Sequence, residues 1–264
     1  MPGVVNLVPR IAQGLAAIRD HAAGTFPDEV LGRIESLLPE SMERTAETGC
    51  GKSTILFSNL SHHHTVFCID DRGDGDRSSV LYFEANGMTR SEVVHCVFGP
   101  TQTTLPRYTH QGRYDCVLLD GPHGYPFPEL EYYHLYPHIR QGGFLLVDDV
   151  QIPTIGRLAD FVQEDEMFEL VELVGTTAVF RRTAAETFNP TGDGWWTQRF
   201  NRRRIPPASE FHCADGKRLE SFRDRVSRTY LASASAAVSA DAPTAVHGIV
   251  PRIRRAARML LEGQ

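Results

Sequence analysis

Seven short apolar runs parted by helical stretches predict an α/β fold: a Rossmann-like, doubly wound, mostly parallel seven-stranded sheet with one antiparallel edge strand. Three observations carry that expectation. Strand-like and helix-like segments alternate from residue 43 to 182, and the first run ends in a Gly-rich turn, Gly49-Cys50-Gly51. The last two runs are separated only by Gly175-Thr176, the length of a tight hairpin.

In chain order, an N-terminal helical cap (1–42) comes first, with helices over 4–20 and 28–38. Gly24-Thr25-Phe26-Pro27 interrupts the helical spacing between them. The central domain, 43–182, holds the strands ERTAE (43–47), TVFCID (65–70), EVVHCVFG (92–99), YDCVLLD (114–120), GGFLLVDD (142–149), FELVELV (168–174) and TAVFRR (177–182). Most are rich in β-branched and aromatic residues. The first is poorer in Val and Ile than a strand covered on both faces should be. Helices are predicted over 52–60, 76–87, 126–139 and 154–165. A C-terminal extension, 183–264, loses the alternation; 231–245 reads as a linker and 248–262 as a basic amphipathic helix.

A length of 264 residues accommodates one large α/β domain with an appendage. Apolar residues make up 41%, and no apolar run approaches the roughly 20 residues needed to cross a bilayer. The N-terminus lacks the regions of a signal peptide, so a cytoplasmic protein without a transmembrane segment is expected. Five Cys residues (50, 68, 96, 116, 213) without a CxxC read as reduced thiols, not as a disulfide frame or zinc site. Residues 191–264 carry 13 Lys and Arg against 7 Asp and Glu, leaving the first 190 residues at a net −12. A solvated helix explains such a basic tail without a nucleic-acid partner.

The segment Glu47-Thr48-Gly49-Cys50-Gly51-Lys52-Ser53-Thr54 admits two readings. As Ala46-x4-Gly51-Lys52-Ser53 it passes a loose phosphate-loop pattern, which would make a kinase or ATPase. As Glu47-x-Gly49-x-Gly51 it looks like the first loop of a methyltransferase that binds S-adenosylmethionine. A carboxylate beside bound phosphates would be repelled strongly in a low dielectric, whereas S-adenosylmethionine offers a sulfonium, an ammonium and ribose hydroxyls. Glu47 therefore favours the second reading.

Ligands of open α/β sheets lie beyond the carboxyl ends of the strands. There Gly49 and Gly51 let a cofactor approach the backbone, and Asp70 and Asp71 follow at the distance where an acid holds ribose hydroxyls. Thr101 and Gln102 form a polar turn that could edge an adenine. Asp120 ends the fourth strand and Asp148-Asp149 the fifth. Three carboxylates at adjacent strand tips raise one another's pKa unless a cation sits among them, which points to Mg²⁺, with Mn²⁺ or Ca²⁺ as alternatives.

On ETGCG, IDD, LDGPHGY and GGFLLVDD the chain resembles the metal-dependent class I O-methyltransferases, the catechol-type enzymes and the sugar enzymes of macrolide and aminocoumarin pathways. The resemblance covers about residues 43–182. It implies that Glu47, Gly49, Gly51 and Ser53 line the cofactor loop, and that Asp70 or Asp71 holds the ribose. It also implies Thr101 and Gln102 at the adenine, a metal on Asp120, Asp148 and Asp149, and a homodimer. Gly121-Pro122-His123-Gly124-Tyr125 replaces the Lys-containing segment that serves the catechol-type enzymes as base.

His123 is the substitute base, since its reference pKa near 6.5 suits proton abstraction from a hydroxyl; a metal-bound Asp120 is the alternative. Tyr125, Trp195 and Trp196 are candidate acceptor contacts, because aromatic faces suit the apolar side of a sugar or a phenolic ring. The acceptor expected is a small molecule or oligosaccharide: a sugar hydroxyl, with a phenol or catechol as alternative. His62-His63-His64 reads as an exposed loop, and His134 and His138 as structural. Rival readings are the phosphate-loop enzyme, with YDCVLLD binding magnesium, and a non-catalytic cofactor-fold protein that binds partners through its basic tail.

Overall fold

Six consecutive buried residues, Tyr114–Leu119, form β4 and mark it as a central strand covered on both faces. The computed structural model describes residues 7–15, 26–188, 194–204, 220–222 and 224–228. The predicted linker at 231–245 and basic helix at 248–262 lie outside the described residues. All elements named below belong to the compact unit Met1–Val226.

The strands are β1 (Met42–Thr48), β2 (Ser61–Cys68), β3 (Val94–Phe98), β4, β5 (Ile139–Val147), β6 (Phe168–Val174) and β7 (Thr177–Arg182). They form one sheet in the order β3-β2-β1-β4-β5-β7-β6. Pairing is parallel from β3 through β5, while β7 runs antiparallel to both β5 and β6. The antiparallel strand thus stands at the predicted end of the sheet, one place in from the rim. The two-residue turn between Val174 and Thr177 closes the hairpin, with Gly175 at φ +61°. That left-handed conformation is one glycine takes without a Cβ penalty.

The helices are α1 (Val8–Leu15), α2 (Asp28–Leu37), α3 (Lys52–Leu60), α4 (Ser79–Glu84), α5 (Thr101–Thr104), α6 (Phe127–Leu135), α7 (Pro153–Glu164) and α8 (Arg199–Arg202). The Glu35 carboxylate of α2 accepts the backbone N–H groups of Leu7 (2.7 Å) and Val8 (3.3 Å), holding the start of α1. Arg33 of α2 pairs with Glu172 of β6 at 2.6 Å, which ties the cap to the sheet. The helix predicted over 126–139 ends at Leu135 and continues as a 3-10 turn, Tyr136–His138, because Pro137 cannot continue the hydrogen-bond ladder.

The first strand's odd composition has a physical reason, and it overturns one expectation. His62, His63 and His64 are not a loop: β2 begins at Ser61 and includes all three. His62 and His63 are exposed, but His64 is fully buried. Its Nδ1 lies 2.8 Å from the Thr45 hydroxyl and its Nε2 3.2 Å from Glu47 Oε1. Thr45 and one oxygen of Glu47 on β1 thus find a polar partner on β2, which is why polar residues stand where a buried strand would otherwise carry Val or Ile.

Candidate active site

The tips of β1, β4 and β5 meet through the backbone. Asp120 donates its N–H to the Thr48 carbonyl and hydroxyl, each at 3.2 Å, and Asp148 donates its N–H to the Leu119 carbonyl at 3.1 Å. Gly49 sits at φ +83°, and a Cβ there would lie 2.3 Å from the Asp120 carbonyl oxygen. Only glycine allows the first loop to lie against the fourth strand's tip. This contact places the predicted cofactor loop beside the predicted metal residues.

Within that loop, Glu47 is buried, and its Oε1 accepts the Thr54 hydroxyl at the first turn of α3. Thr54 Oγ1 in turn accepts the Gly51 N–H at 2.9 Å. Glu47 thereby holds the loop's shape; its second oxygen is buried without a hydrogen-bond partner. Ser53 is buried in the same turn. Lys52 turns the other way. Its ammonium donates to Asp28 and to the Phe26 carbonyl, on the helical cap. A phosphate loop needs that Lys in the cradle, so this geometry counts against the kinase or ATPase reading.

Asp70 and Asp71 follow β2 with different employments. Burial pulls the Asp71 carboxyl upward, but hydrogen bonds from the Ser78 hydroxyl (2.6 Å) and the Ser79 and Val80 amides (2.7 and 3.1 Å) outweigh it and leave its pKa lowered. Asp71 caps α4. Asp70 is exposed, held only by Arg72 at 2.9 Å. Across the cleft, Thr101 is buried at the start of α5 while Gln102 is exposed.

Asp120, His123 and Asp149 converge: their ligand atoms all lie within 4.8 Å of one another. His123 Nε2 is 3.4 Å from Asp149 Oδ2 and 4.0 Å from Asp120 Oδ1. The Thr154 hydroxyl on α7 donates to the His123 carbonyl, fixing the loop. Asp149 is held at φ +56°, the one non-glycine residue in the left-handed region among the described residues. Such strain concentrates at functional positions. Burial raises the Asp120 pKa, assisted by the charge of Asp149 and opposed by His123. The neighbouring Asp120 carboxylate raises that of His123 against the effect of burial.

Three other predicted site residues have surroundings of their own. Asp148, expected in the metal set, is buried and accepts the Thr177 hydroxyl at 2.6 Å. Successive residues at a strand end point to opposite faces, so β7 takes one carboxylate of the pair and the cleft takes the other. Trp195 and Trp196, expected at the acceptor, are carried by the segment that leads into α8. There Phe200 packs 5.4 Å from Phe161, and Arg203 and Arg204 pair with Glu164, all at the C-terminal end of α7. The Asp148-Asp149 loop meets the other end of that helix. Tyr125 does stand close to His123 in sequence and is 66% exposed, with the Arg157 guanidinium 4.9 Å from its ring centroid.

One residue behind the site escaped the sequence reading. Glu131 of α6 is 1% exposed and accepts the Thr48 hydroxyl at 2.7 Å. A Cβ at Gly121 would lie 2.2 Å from its carboxylate, so Gly121 is the residue that admits it. Burial lifts its pKa to about 7. Its only sequence signal is a Glu set between apolar and aromatic neighbours, Leu130 and Tyr132, in a helix that also carries Glu129.

Residues 46–150 match the family model described as a methyltransferase domain. That segment runs from β1, the strand before Gly49, to the turn after Asp149, so the match spans the whole face described above. No curated protein sequence matches the chain. Among solved structures, the cofactor-bound Rv0187 protein from MTB superimposes with a TM-score of 0.53 at 17% identity, covering 68% of this chain and 91% of its own. A provisionally assigned O-methyltransferase from Klebsiella pneumoniae gives 0.51 at 14% identity, covering 70% and 92%. A provisionally assigned caffeoyl-CoA O-methyltransferase from Staphylococcus aureus gives 0.50 at 11%, covering 66% and 91%. At these identities the likeness establishes a shared fold. No helix among the described residues is long and apolar enough to cross a membrane.

Proposed function

We propose that this protein transfers the methyl group of S-adenosylmethionine to a hydroxyl oxygen, most simply that of a sugar or glycan, with a divalent cation at the strand tips. The observation that carries the reading is the contact between the Gly49 loop and Asp120. With the cofactor on the Gly49 loop, this contact supports a methyl donor lying next to the Asp120–His123–Asp149 group. The matched methyltransferase domain and the displacement of Lys52 toward the cap support S-adenosylmethionine over ATP.

Two carboxylates with convergent oxygens are a donor pair for Mg²⁺ or Mn²⁺, with the His123 imidazole beside them left free as a base, and the raised Asp120 pKa marks a place short of positive charge. A cation held by Asp120 and Asp149 would lower the acceptor hydroxyl's pKa and orient its oxygen. His123 accepts the hydroxyl proton at Nε2, and the two carboxylates stabilise the imidazolium that results. Asp70 rather than Asp71 binds the ribose, because Asp71 is committed to α4. Gly49, Gly51 and Ser53 shape the wall under the amino acid end, with Thr101 and Gln102 at the adenine. Tyr125 offers its exposed ring to the acceptor. A phenolic acceptor remains the second reading, favoured by that same ring.

Thermal-shift titration tests the donor: S-adenosylmethionine and S-adenosylhomocysteine should stabilise the protein, and a response confined to ATP defeats the proposal. With an acceptor panel of sugars and phenols, excess EDTA should abolish methyl transfer and Mg²⁺ restore it. His123→Ala should lower kcat on the order of 10²-fold or more while S-adenosylhomocysteine still binds. Unchanged turnover would pass the base role to Asp120.

A further inference from the structure

At the end of the sheet opposite the Asp120–His123–Asp149 group lies a second cleft of about 630 Å³. It is formed where β5 begins and β7 ends, the two strands running antiparallel with Phe144 opposite Arg181. The nine residues of β5 separate it from the Asp148-Asp149 turn by roughly 26 Å at the usual rise per residue. Its cationic lining is Arg113, Arg140 and Arg182, with Ile139 as an apolar wall; the one carboxylate lining it is Glu186.

The charges here are unbalanced. Arg140 pairs with Asp115. Arg182 is only 6% exposed, yet its guanidinium donates only to carbonyls: Met167 (3.1 Å), Thr183 (3.0 Å) and Ala185 (2.6 Å). Arg113 donates to the Pro137 carbonyl at 2.8 Å. Neither Arg113 nor Arg182 has a salt bridge among the described residues. A buried cation without a salt bridge is costly; the charge of the Asp165 carboxylate offsets this only in part, and a second cation shares the cleft. Burial holds the Arg182 pKa below the ordinary guanidinium value, and the charge of Arg113 adds to the effect. Such a cationic spot stands out in a segment whose first 190 residues carry a net −12.

We propose that this cleft binds a small multivalent oxyanion, a molecule bearing phosphate or carboxylate groups, at a site separate from the methyl-transfer face. Planar guanidinium forks suit both groups by paired N–H···O bonds. The volume falls in the range of small-ligand sites, about 300–1,000 Å³. Unpaired N–H groups of Arg113 and Arg182 supply the donors, and Ile139 accommodates a carbon skeleton.

Calorimetric titration of the full chain with pyrophosphate and with citrate, without divalent cations and at constant ionic strength, tests this. Saturable binding of one of the two anions is expected, and the preferred anion tells phosphate from carboxylate chemistry. Arg113→Ala, an exposed change, should weaken that binding at least tenfold. Arg182→Lys should weaken it as well, while Arg77→Ala at the far side of the sheet should not. S-adenosylhomocysteine binding should be unaffected in all three variants, which also reports that they fold. Absence of saturable binding by both anions overturns the proposal. So does an affinity that Arg113→Ala leaves unchanged or that Arg77→Ala weakens equally.

Discussion

Replacing Glu131 by Gln isolates the cost of one buried charge behind the site. The carboxyl is 1% exposed, accepts one hydrogen bond from Thr48, and has its other oxygen buried without a partner. Burial raises its pKa from 4.5 to about 7 in the folded protein. Between those values the folded state keeps a proton that the unfolded state has lost, so this group's contribution to stability falls as pH rises and levels off above the folded pKa. At about 1.36 kcal/mol per pKa unit the full effect is about 3 kcal/mol, of which about 2.5 kcal/mol develops between pH 5 and pH 8. The glutamine side chain of the Glu131→Gln variant would keep an oxygen for the Thr48 hydroxyl and carries no charge, so the variant lacks this pH-dependent loss. Urea unfolding of both proteins at pH 5 and pH 8 should show the variant gaining about 2–3 kcal/mol relative to the parent. Other titrating groups, such as Asp165 with its pKa raised by burial to about 6, are common to both proteins and cancel in the difference. A difference that stays the same at both pH values would refute the reasoning, since Glu131 would then ionise as freely folded as unfolded.

The strand-tip carboxylates divide in the same spirit. Asp149→Asn should raise the Mg²⁺ concentration for half-maximal activity by tenfold or more, whereas Asp148→Asn, which keeps an oxygen for Thr177 and removes a carboxyl whose pKa burial raises, should leave the Mg²⁺ response near that of the parent without lowering thermal stability. Asp71→Ala removes the carboxylate that accepts the first two α4 amides, with the Ser78 N-cap left in place, and should cost about 1–2 kcal/mol in denaturant unfolding. Asp70→Ala should instead weaken S-adenosylhomocysteine binding in calorimetry with stability unchanged. Gly49→Ala forces a Cβ onto the Asp120 carbonyl at an unfavourable φ, and should abolish cofactor binding in a thermal-shift titration and lower Tm.

The sheet's alternation, the hairpin at Gly175-Thr176 and the acidic strand ends were legible in the chain because they arise from local periodicity and turn chemistry. The predicted helix over 52–60 coincides with α3, and the strand over 177–182 with β7. The His62–His64 run was misread because a polar triplet gives no local sign of burial. His64 becomes a core residue only through Thr45 and Glu47, on a strand reached after a helix. The tandem acids carried the same ambiguity. Asp70 and Asp71, like Asp148 and Asp149, are chemically identical pairs whose members separate only when a neighbour claims one of them.

What the sequence by itself determined is therefore the architecture and the inventory: a parallel sheet, a glycine turn, and carboxylates with one histidine at its carboxyl ends. Hydrophobic period and turn residues act between near neighbours in the chain, so one dimension records them. The tertiary structure alone decided the assignments. Thr177 drew Asp148 aside, α4 claimed Asp71, Asp28 took Lys52 away from the loop, and His123 moved in between Asp120 and Asp149. The contacts of Asp148 with Thr177, of Lys52 with Asp28 and of His123 with Asp149 join segments distant in sequence, through short-range forces that act only once the chain has brought them together.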